Sequence, residues 1–440
     1  MNTAFFPVST AAQEMATPRR VCACLLVVLV LACCLLRRAA AHPLPEGEEA
    51  RLLEIKRAWG DPPTLAAWSA AAGSVHCRWP YLGCDTAGRV TKLVLVSINI
   101  TGVIPDAIGG LSSLTYLNVF NNSIVGVFPT VLYRCRTLRY LNLSRNYIGG
   151  ELPVDIGHGL RANLRTLDLS FNNFHGTIPA SLSRLQDLRY LSLGWNHLSG
   201  SIPKSLSKLQ NLRSLMLQEN SLAGTIPTAE LLELTSLEKL WLAHNPFDTG
   251  ELSTSFKNLT NLVSLNLANC SLVGDFPIYL VKMAELQVLI LADNSFTGTI
   301  PPGIWGLKNL RALVLCGNRL TGDVVVDGFA AMSLHTINLA DNNLTGMIPE
   351  VFGSLRNLTY LLLYSNNFSG EIPVNIGQLP SLVMLVLSYN RLTGTLSQEL
   401  EKHSLSLSDV EVQNNKLTGE IPKDCATEVS CKNSTPRETT

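Results

Sequence analysis
The residues best suited to chemistry are eight histidines and eleven cysteines among 440 residues. Metal binding or nucleophilic catalysis would need several of them, with carboxylates, at short fixed spacings. No such spacing occurs. There is no HExxH, GxSxG, P-loop, GxGxxG or kinase motif set. His175 and His197 sit at different points of a repeating pattern, which argues against a metal pair. Asp168, Asp293 and Asp341 take outward positions and read as solvated acids. The chain is therefore expected not to be an enzyme, with no catalytic residue, metal or cofactor. Its formal net charge is zero and 15% of residues are charged, so nucleic acid is not an expected partner.

The cysteines point to a compartment instead. Cys22, Cys24, Cys33 and Cys34 lie in a 16-residue apolar run, Val21–Leu36, preceded by Arg19 and Arg20. Ala39 and Ala41 stand where cleavage before His42 would occur. Residues 1–41 read as a secretory signal, with an uncleaved anchor as the alternative; the run is shorter than the about 20 residues of a membrane span. Both readings place the rest in an oxidising compartment, outside the cell or on the outer side of the plasma membrane. Cys77 with Cys84, and Cys425 with Cys431, then read as two terminal disulfides. Cys135, Cys270 and Cys316 stay single.

The elements that position these residues come from a repeat. "LRYLNLSRNYIGGELP", "LRTLDLSFNNFHGTIP" and "LTYLLLYSNNFSGEIP" share the template LxxLxLxxNxLxGxIP. Fourteen copies, here called coils, are anchored at Ile98, Asn122, Asn146, Asn172, Asn196, Asn220, Asn245, Cys270, Asn294, Asn318, Asn342, Asn366, Asn390 and Asn415. The fold class is a leucine-rich-repeat α/β solenoid, rich in β, with a concave parallel sheet. Leucines alternate inward and stacked strands lie about 4.8 Å apart. The Asn is expected to bond backbone of its own coil and the next. Cys270 fits that slot as a buried thiol. Residues 42–89 form an N-terminal cap: a helix through Leu52, Leu53, Ile55 and Trp59, then Trp68 and Trp79 over the first coil. Coils fill 90–424. Residues 425–440 are a short C-terminal cap and tail, a small loop closed by the second disulfide.

Equal template positions in successive coils are neighbours, so outward columns can be read. Two residues before the anchor, coils three to eleven give Ser144, Ser170, Gly194, Gln218, Ala243, Ala268, Ala292, Cys316 and Ala340, almost all small; Tyr364 follows. Four before, coils six to ten give Met216, Trp241, Asn266, Ile290 and Val314, with Leu362 and Val386 in coils twelve and thirteen. One before, Phe171, Trp195 and His244 stand out. These columns predict a groove over coils four to thirteen, a flat floor beside an apolar ledge that would take an extended ligand. The plainer alternative is the ordinary taste of strands for β-branched and aromatic residues.

N-x-S/T sequons occur at Asn99, Asn121, Asn142, Asn258, Asn269, Asn343, Asn357, Asn367 and Asn433. Glycans at Asn121 and Asn142 would obstruct the first coils and leave the later ones open. Asn269 sits at the groove margin.

The LTGxIP repeats, the helical cap and "CRWPYLGCD" resemble the extracellular domains of plant leucine-rich-repeat receptor kinases and receptor-like proteins over residues 46–425. "LWLAHNPFDTGELS", "LANCSLVGDFP" and "DVEVQNNKLTGEIP" are similar to the HAESA-like group. The resemblance implies binding of a short extended secreted peptide on the concave face, with a co-receptor kinase as a possible partner. It also implies an Arg-x-Arg pair for the peptide carboxylate in a later strand. The last coil here offers Asp409, Glu411 and Gln413 instead. The expected function is peptide recognition in receptor-type signalling, or as a decoy or co-receptor. The alternatives are an inhibitor of a secreted cell-wall-degrading enzyme, like the polygalacturonase inhibitors, and a truncated receptor-kinase product without its own role.

Overall fold
The computed structural model describes residues 47–70, 75–397, 400, 407–419 and 430–432. The signal segment 1–41, Cys425 and Asn433 lie outside these. From the second coil on, each coil begins with a three-residue strand whose central residue points inward. Leu141 and Leu143, Leu191 and Leu193, and Leu240 and Leu242 are all fully buried. The strands join in chain order into one sheet of sixteen. The first pair, Leu82–Cys84 and Val90–Val94, is antiparallel; from Val90–Val94 onward every pair is parallel. On the return path, Pro179 and Pro203 precede five-residue 3-10 helices, Ala180–Arg184 and Lys204–Lys208, with φ of −68° and −63°. That is the angle proline fixes, and its missing N–H needs no partner there.

The buried asparagines solve a backbone problem. Asn118 O and Phe120 O accept Leu95 N and Ser97 N of the preceding coil. Val119 O, between them, points inward and has no strand partner. Asn122 and Asn146 both donate to it from Nδ2 at 3.0 Å. Asn146 also donates to Leu143 O at 3.0 Å, and its Oδ1 accepts Ile124 N at 3.0 Å. The ladder thus ties each coil to the preceding one, where the following one was expected. The cause is the sheet alternation, which turns the orphan carbonyl of the earlier coil toward the asparagine.

Cys270 holds this slot with Sγ donating to Leu242 O at 3.4 Å and Ala268 O at 3.5 Å. A thiol cannot replace Oδ1 well as an acceptor. The N–H that an asparagine there would take, Phe247 N, turns back to Asn245 O at 2.8 Å. The second sheet is in four parts among the described residues: one sheet of six ends in coil six at Ser221–Leu222 and another begins in coil seven at Gly250–Glu251, with further breaks after coils nine and eleven.

The N-terminal cap forms as expected. Helix α1, Glu48–Ala58, buries Leu52 and Ile55, and Trp59 follows it into the core; Leu53 is half-buried. Trp59 Nε1 reaches Val103 O at 2.9 Å and Trp68 Nε1 reaches Pro80 O at 3.0 Å. Trp68 and Trp79 stack at 5.9 Å. Cys77 and Cys84 are disulfide-bonded, which fixes the antiparallel first strand. At the other end the outcome differs from a simple loop. Ser430–Lys432 pairs in parallel with Asp409–Glu411 as the sixteenth strand, because the open edge of coil fourteen offers unpaired backbone groups.

Replacing Asn245 by Ala leaves Leu222 N, which bonds Asn245 Oδ1 at 2.9 Å, unpaired in the core, and removes one of the two donors to Leu217 O, which Asn220 Nδ2 still reaches at 3.1 Å. Asn245→Ala should lower the unfolding free energy by about 1–3 kcal/mol. Cys270→Ala should cost less, because only weak thiol bonds are lost. Urea midpoints of the two variants check the order.

Candidate functional site
The concave sheet presents three outward residues per coil. In coils seven to nine the floor is Ala243, Ala268 and Ala292, 1%, 5% and 5% exposed. Ile290, Val314 and Cys316 pack against them in one apolar cluster separate from the main core. The predicted floor and part of the ledge are therefore brought together in coils seven to ten. The rest of the ledge is interrupted. Trp241 and Ile290 are register partners of Asn266, and Val314 and Leu362 are partners of Asn338. Asn266 Oδ1 accepts Ala268 N and Asn338 Oδ1 accepts Ala340 N, both at 3.2 Å. A continuous ledge becomes three apolar patches, Met216 with Trp241, Ile290 with Val314, and Leu362 with Val386, because the strand ends between them use a side-chain amide.

Gly194 does not open the floor as expected. An added Cβ would lie 2.8 Å from the Gln218 side chain, which covers the glycine. Gln218 is buried and its Oε1 has no partner among the described residues. Trp241 is held by Nε1 donating to Ser264 Oγ at 2.9 Å, and Lys239 Nζ lies 4.9 Å from its ring centroid. His244 stands 3.9 Å from Glu219 and Asn269 approaches its Nδ1 at 3.4 Å. Tyr364 lies at the far end, next to Asp341, and burial followed by that acid raises its pKa.

Phe171 and Trp195 stack at 5.1 Å and are 37% and 45% exposed. Arg145 lies 4.7 Å over the Phe171 ring. Both aromatics have left-handed backbone, φ 52° and 56°. The same position holds Asn121, Asn269, Asp293, Asp341 and Asn414 in other coils, residue types that tolerate this conformation. Bulky rings there carry a backbone cost of about 1–2 kcal/mol each, so their exposed stack marks this end of the face.

Three groups escaped the column reading. Tyr116 and Tyr140 stack at 4.0 Å six residues before their anchors, and Tyr190 stands in the same column. Arg139, Arg165, Arg189 and Arg213 follow one another in successive coils through backbone bonds of 2.8 Å. Residues 130–213 hold eleven Lys/Arg against four Asp/Glu, a local net of +7 hidden by the neutral total. Asp168, read as a solvated acid, is half-buried and its pKa is raised, mainly by burial. The tyrosines and arginines lie in columns outside the two that separated small from large, and Asp168 lies in the ledge column itself, where only apolar residues were sought.

The histidine reading changes as well. His175 and His197 are register partners in the second sheet, and Glu151 is the partner of His175. That sheet is staggered by two template positions per coil, which aligns residues the template keeps apart. Among the described residues, the one His/Cys/acid group with metal-compatible spacing is His76, Cys77 and Cys84, whose sulfurs are joined to each other.

Of the sequons, Asn99, Asn121, Asn258, Asn269, Asn343 and Asn357 are exposed and Asn367 is half-buried. Asn142 is buried, with Oδ1 accepting Ser144 N at 2.8 Å. It lies beside the floor residue Ser144, and a glycan would have to displace it. Cys316 is a packing residue; burial pushes its thiol up to about 11. Cys135 and Cys270 are pushed up to about 12 by burial. A raised thiol stays protonated and unreactive at pH 8. Iodoacetamide at pH 8 should therefore modify the three native thiols far more slowly than the urea-unfolded ones, read by mass mapping.

Comparisons with known proteins agree with this geometry. A leucine-rich repeat region model matches residues 130–267, and a leucine rich repeat model matches 88–148, 260–320 and 332–392. The fold is similar to the Arabidopsis receptor kinase HAESA in complex with the peptide hormone IDA and the co-receptor SERK1. The TM-score is 0.81 at 30% identity, covering 88% of this chain and 65% of that one. The PEPR1–AtPEP1 structure matches with TM-score 0.66 at 30% identity, covering 88% and 62%. Polygalacturonase inhibitor 1 of Oryza sativa subsp. japonica is 34% identical over 97 residues, 22% of this chain and 29% of that protein. MDIS1-interacting receptor like kinase 1 of Arabidopsis thaliana is 40% identical over 72 residues, 16% and 7%. The chain thus spans less than two thirds of these relatives. It belongs to the leucine-rich-repeat proteins.

Proposed function
We propose that this chain is an extracellular recognition module that binds a short extended peptide across the concave face, in receptor-type signalling. Binding, with no chemistry on the ligand, is the reading. The observation that carries it is the separate apolar cluster of Ala243, Ala268 and Ala292 with Ile290, Val314 and Cys316. A flat small-residue floor admits a backbone at close range, and the half-exposed Trp241 and the Phe171–Trp195 stack supply apolar walls. The kinship with HAESA, solved with a peptide hormone and a co-receptor, supports a peptide ligand and a co-receptor kinase as partners. The outward oxidising side of the membrane or the apoplast fits the Cys77–Cys84 disulfide. Among the described residues no helix is long and apolar enough to cross a membrane.

Inhibition of a secreted polygalacturonase is the second reading, favoured by the rice inhibitor match. A pull-down of apoplastic peptides against cell-wall hydrolases separates the two. Under the peptide reading, the captured peptide should lose at least tenfold in affinity to Trp241→Ala and to Ala268→Arg by calorimetry, with unchanged thermal midpoints. Unaltered affinity in both variants would remove the groove from the binding site.

A further inference from the structure
On the outward strand positions of coils two to thirteen there is one carboxylate, Asp168. Its column has a structural duty. The residue four before the anchor accepts the backbone N–H two residues on: Asn118 from Phe120 at 3.0 Å, Asn142 from Ser144 at 2.8 Å, Asn266 from Ala268 at 3.2 Å and Asn338 from Ala340 at 3.2 Å. Asp168 does the same for Ser170 at 3.1 Å and also accepts its hydroxyl at 2.7 Å, both on Oδ1. Asparagine is sufficient for this bond in four coils. The charge in coil four is surplus to the fold.

That charge is placed where it is expensive. Asp168 is half-buried, between its register partners Asn142 and Ser192. No cation forms an ion pair with it among the described residues: Arg145 stacks on Phe171, and Arg213 pairs with Glu238 at 2.8 Å. Hydrogen bonds from Ser170, Ser192 and Ser144 offset part of the burial, which still dominates, and no counter-ion completes the compensation. Burial raises its pKa, and its negative charge adds to the burial that raises Tyr190. Tyr140 and Tyr190 are the register partners of Thr166, two residues before Asp168. Phenol rings therefore flank the acid's own strand on both sides, in reach of a cation held there.

We propose that Asp168 is the anchor for a positively charged group of the ligand, the guanidinium or ammonium of a basic residue, held by the carboxylate and flanked by Tyr140 and Tyr190. This deepens the peptide-binding reading and rests on it. An ion pair with hydrogen bonds at a shielded acid is among the strong polar contacts. It fixes the register of an extended ligand, which apolar patches alone leave free to slide. The burial of Asn142 keeps the neighbouring floor open to such a group.

Asp168→Asn isolates the charge, because the amide keeps the bond to Ser170. The secreted full chain and the Asp168→Asn variant are panned against a random-peptide display library. Wild type should enrich Arg or Lys at one register, and the variant should lose that enrichment while retaining the other selected positions. Equal enrichment in both proteins, or peptides selected without a basic residue, overturns the anchor and leaves peptide binding standing. Selection of no peptide by either protein defeats the peptide reading itself. The anchor is then decided by acetyl-arginine amide, which should raise the thermal midpoint of wild type and not of the variant. Equal shifts overturn it, as does a Ca²⁺-dependent shift confined to wild type, which would mark a metal site.

Discussion
One inward carbonyl per coil sets the terms for this structure. Strand pairing uses alternate backbone groups, so the carbonyl between them is turned into an apolar core. An unpaired buried carbonyl is costly. The asparagine ladder satisfies it twice, from its own coil and from the following one, as Asn122 and Asn146 do for Val119. Every coil is thereby bonded to its predecessor at the point where the chain leaves the strand. The leucines supply the bulk of the burial, but the ladder fixes the angle at which coils stack.

Where the ladder changes residue, the local hydrogen bonding changes with it. Cys270 can donate weakly and cannot take the Phe247 amide, so that amide turns back within coil seven. The second sheet is interrupted after coils six, nine and eleven, the last two where the ladder asparagine is intact, while the concave sheet runs on. The two faces are therefore separable: the outer one tolerates breaks, and the inner one holds a regular grid of outward side chains about 4.8 Å apart.

That grid makes a recognition surface from single residues. Small side chains in one column expose the sheet, as Ala243, Ala268 and Ala292 do. The adjoining column alternates between apolar side chains and amides that bond the strand ends, which divides the apolar area into patches. Aromatic rings then gather at the first coils on both edges, with Tyr116 on Tyr140 at one and Phe171 on Trp195 at the other. The arginine column and the half-buried Asp168 give this end an electrostatic character that the later coils lack.

The sequence by itself determined the solenoid, the fourteen coils, the capping helix, the Cys77–Cys84 bond and the inward or outward sense of each strand residue. These follow from local periodicity, and a period repeated so often leaves one way to bury the leucines. Only the tertiary structure decided what stood beside what. The two-position stagger of the second sheet, which aligns His175 with His197, comes from the stacking of coils. So do the packing of Gln218 over Gly194 and the burial of Asn142. The environment of Asp168 is the sharpest case. In the sequence it is one outward acid, read like Asp293 and Asp341 as solvated although it stands four residues before its anchor and they stand one before theirs. Its desolvation comes from neighbours about 24 residues away in either direction, and burial is a property of the assembled face that no single repeat contains.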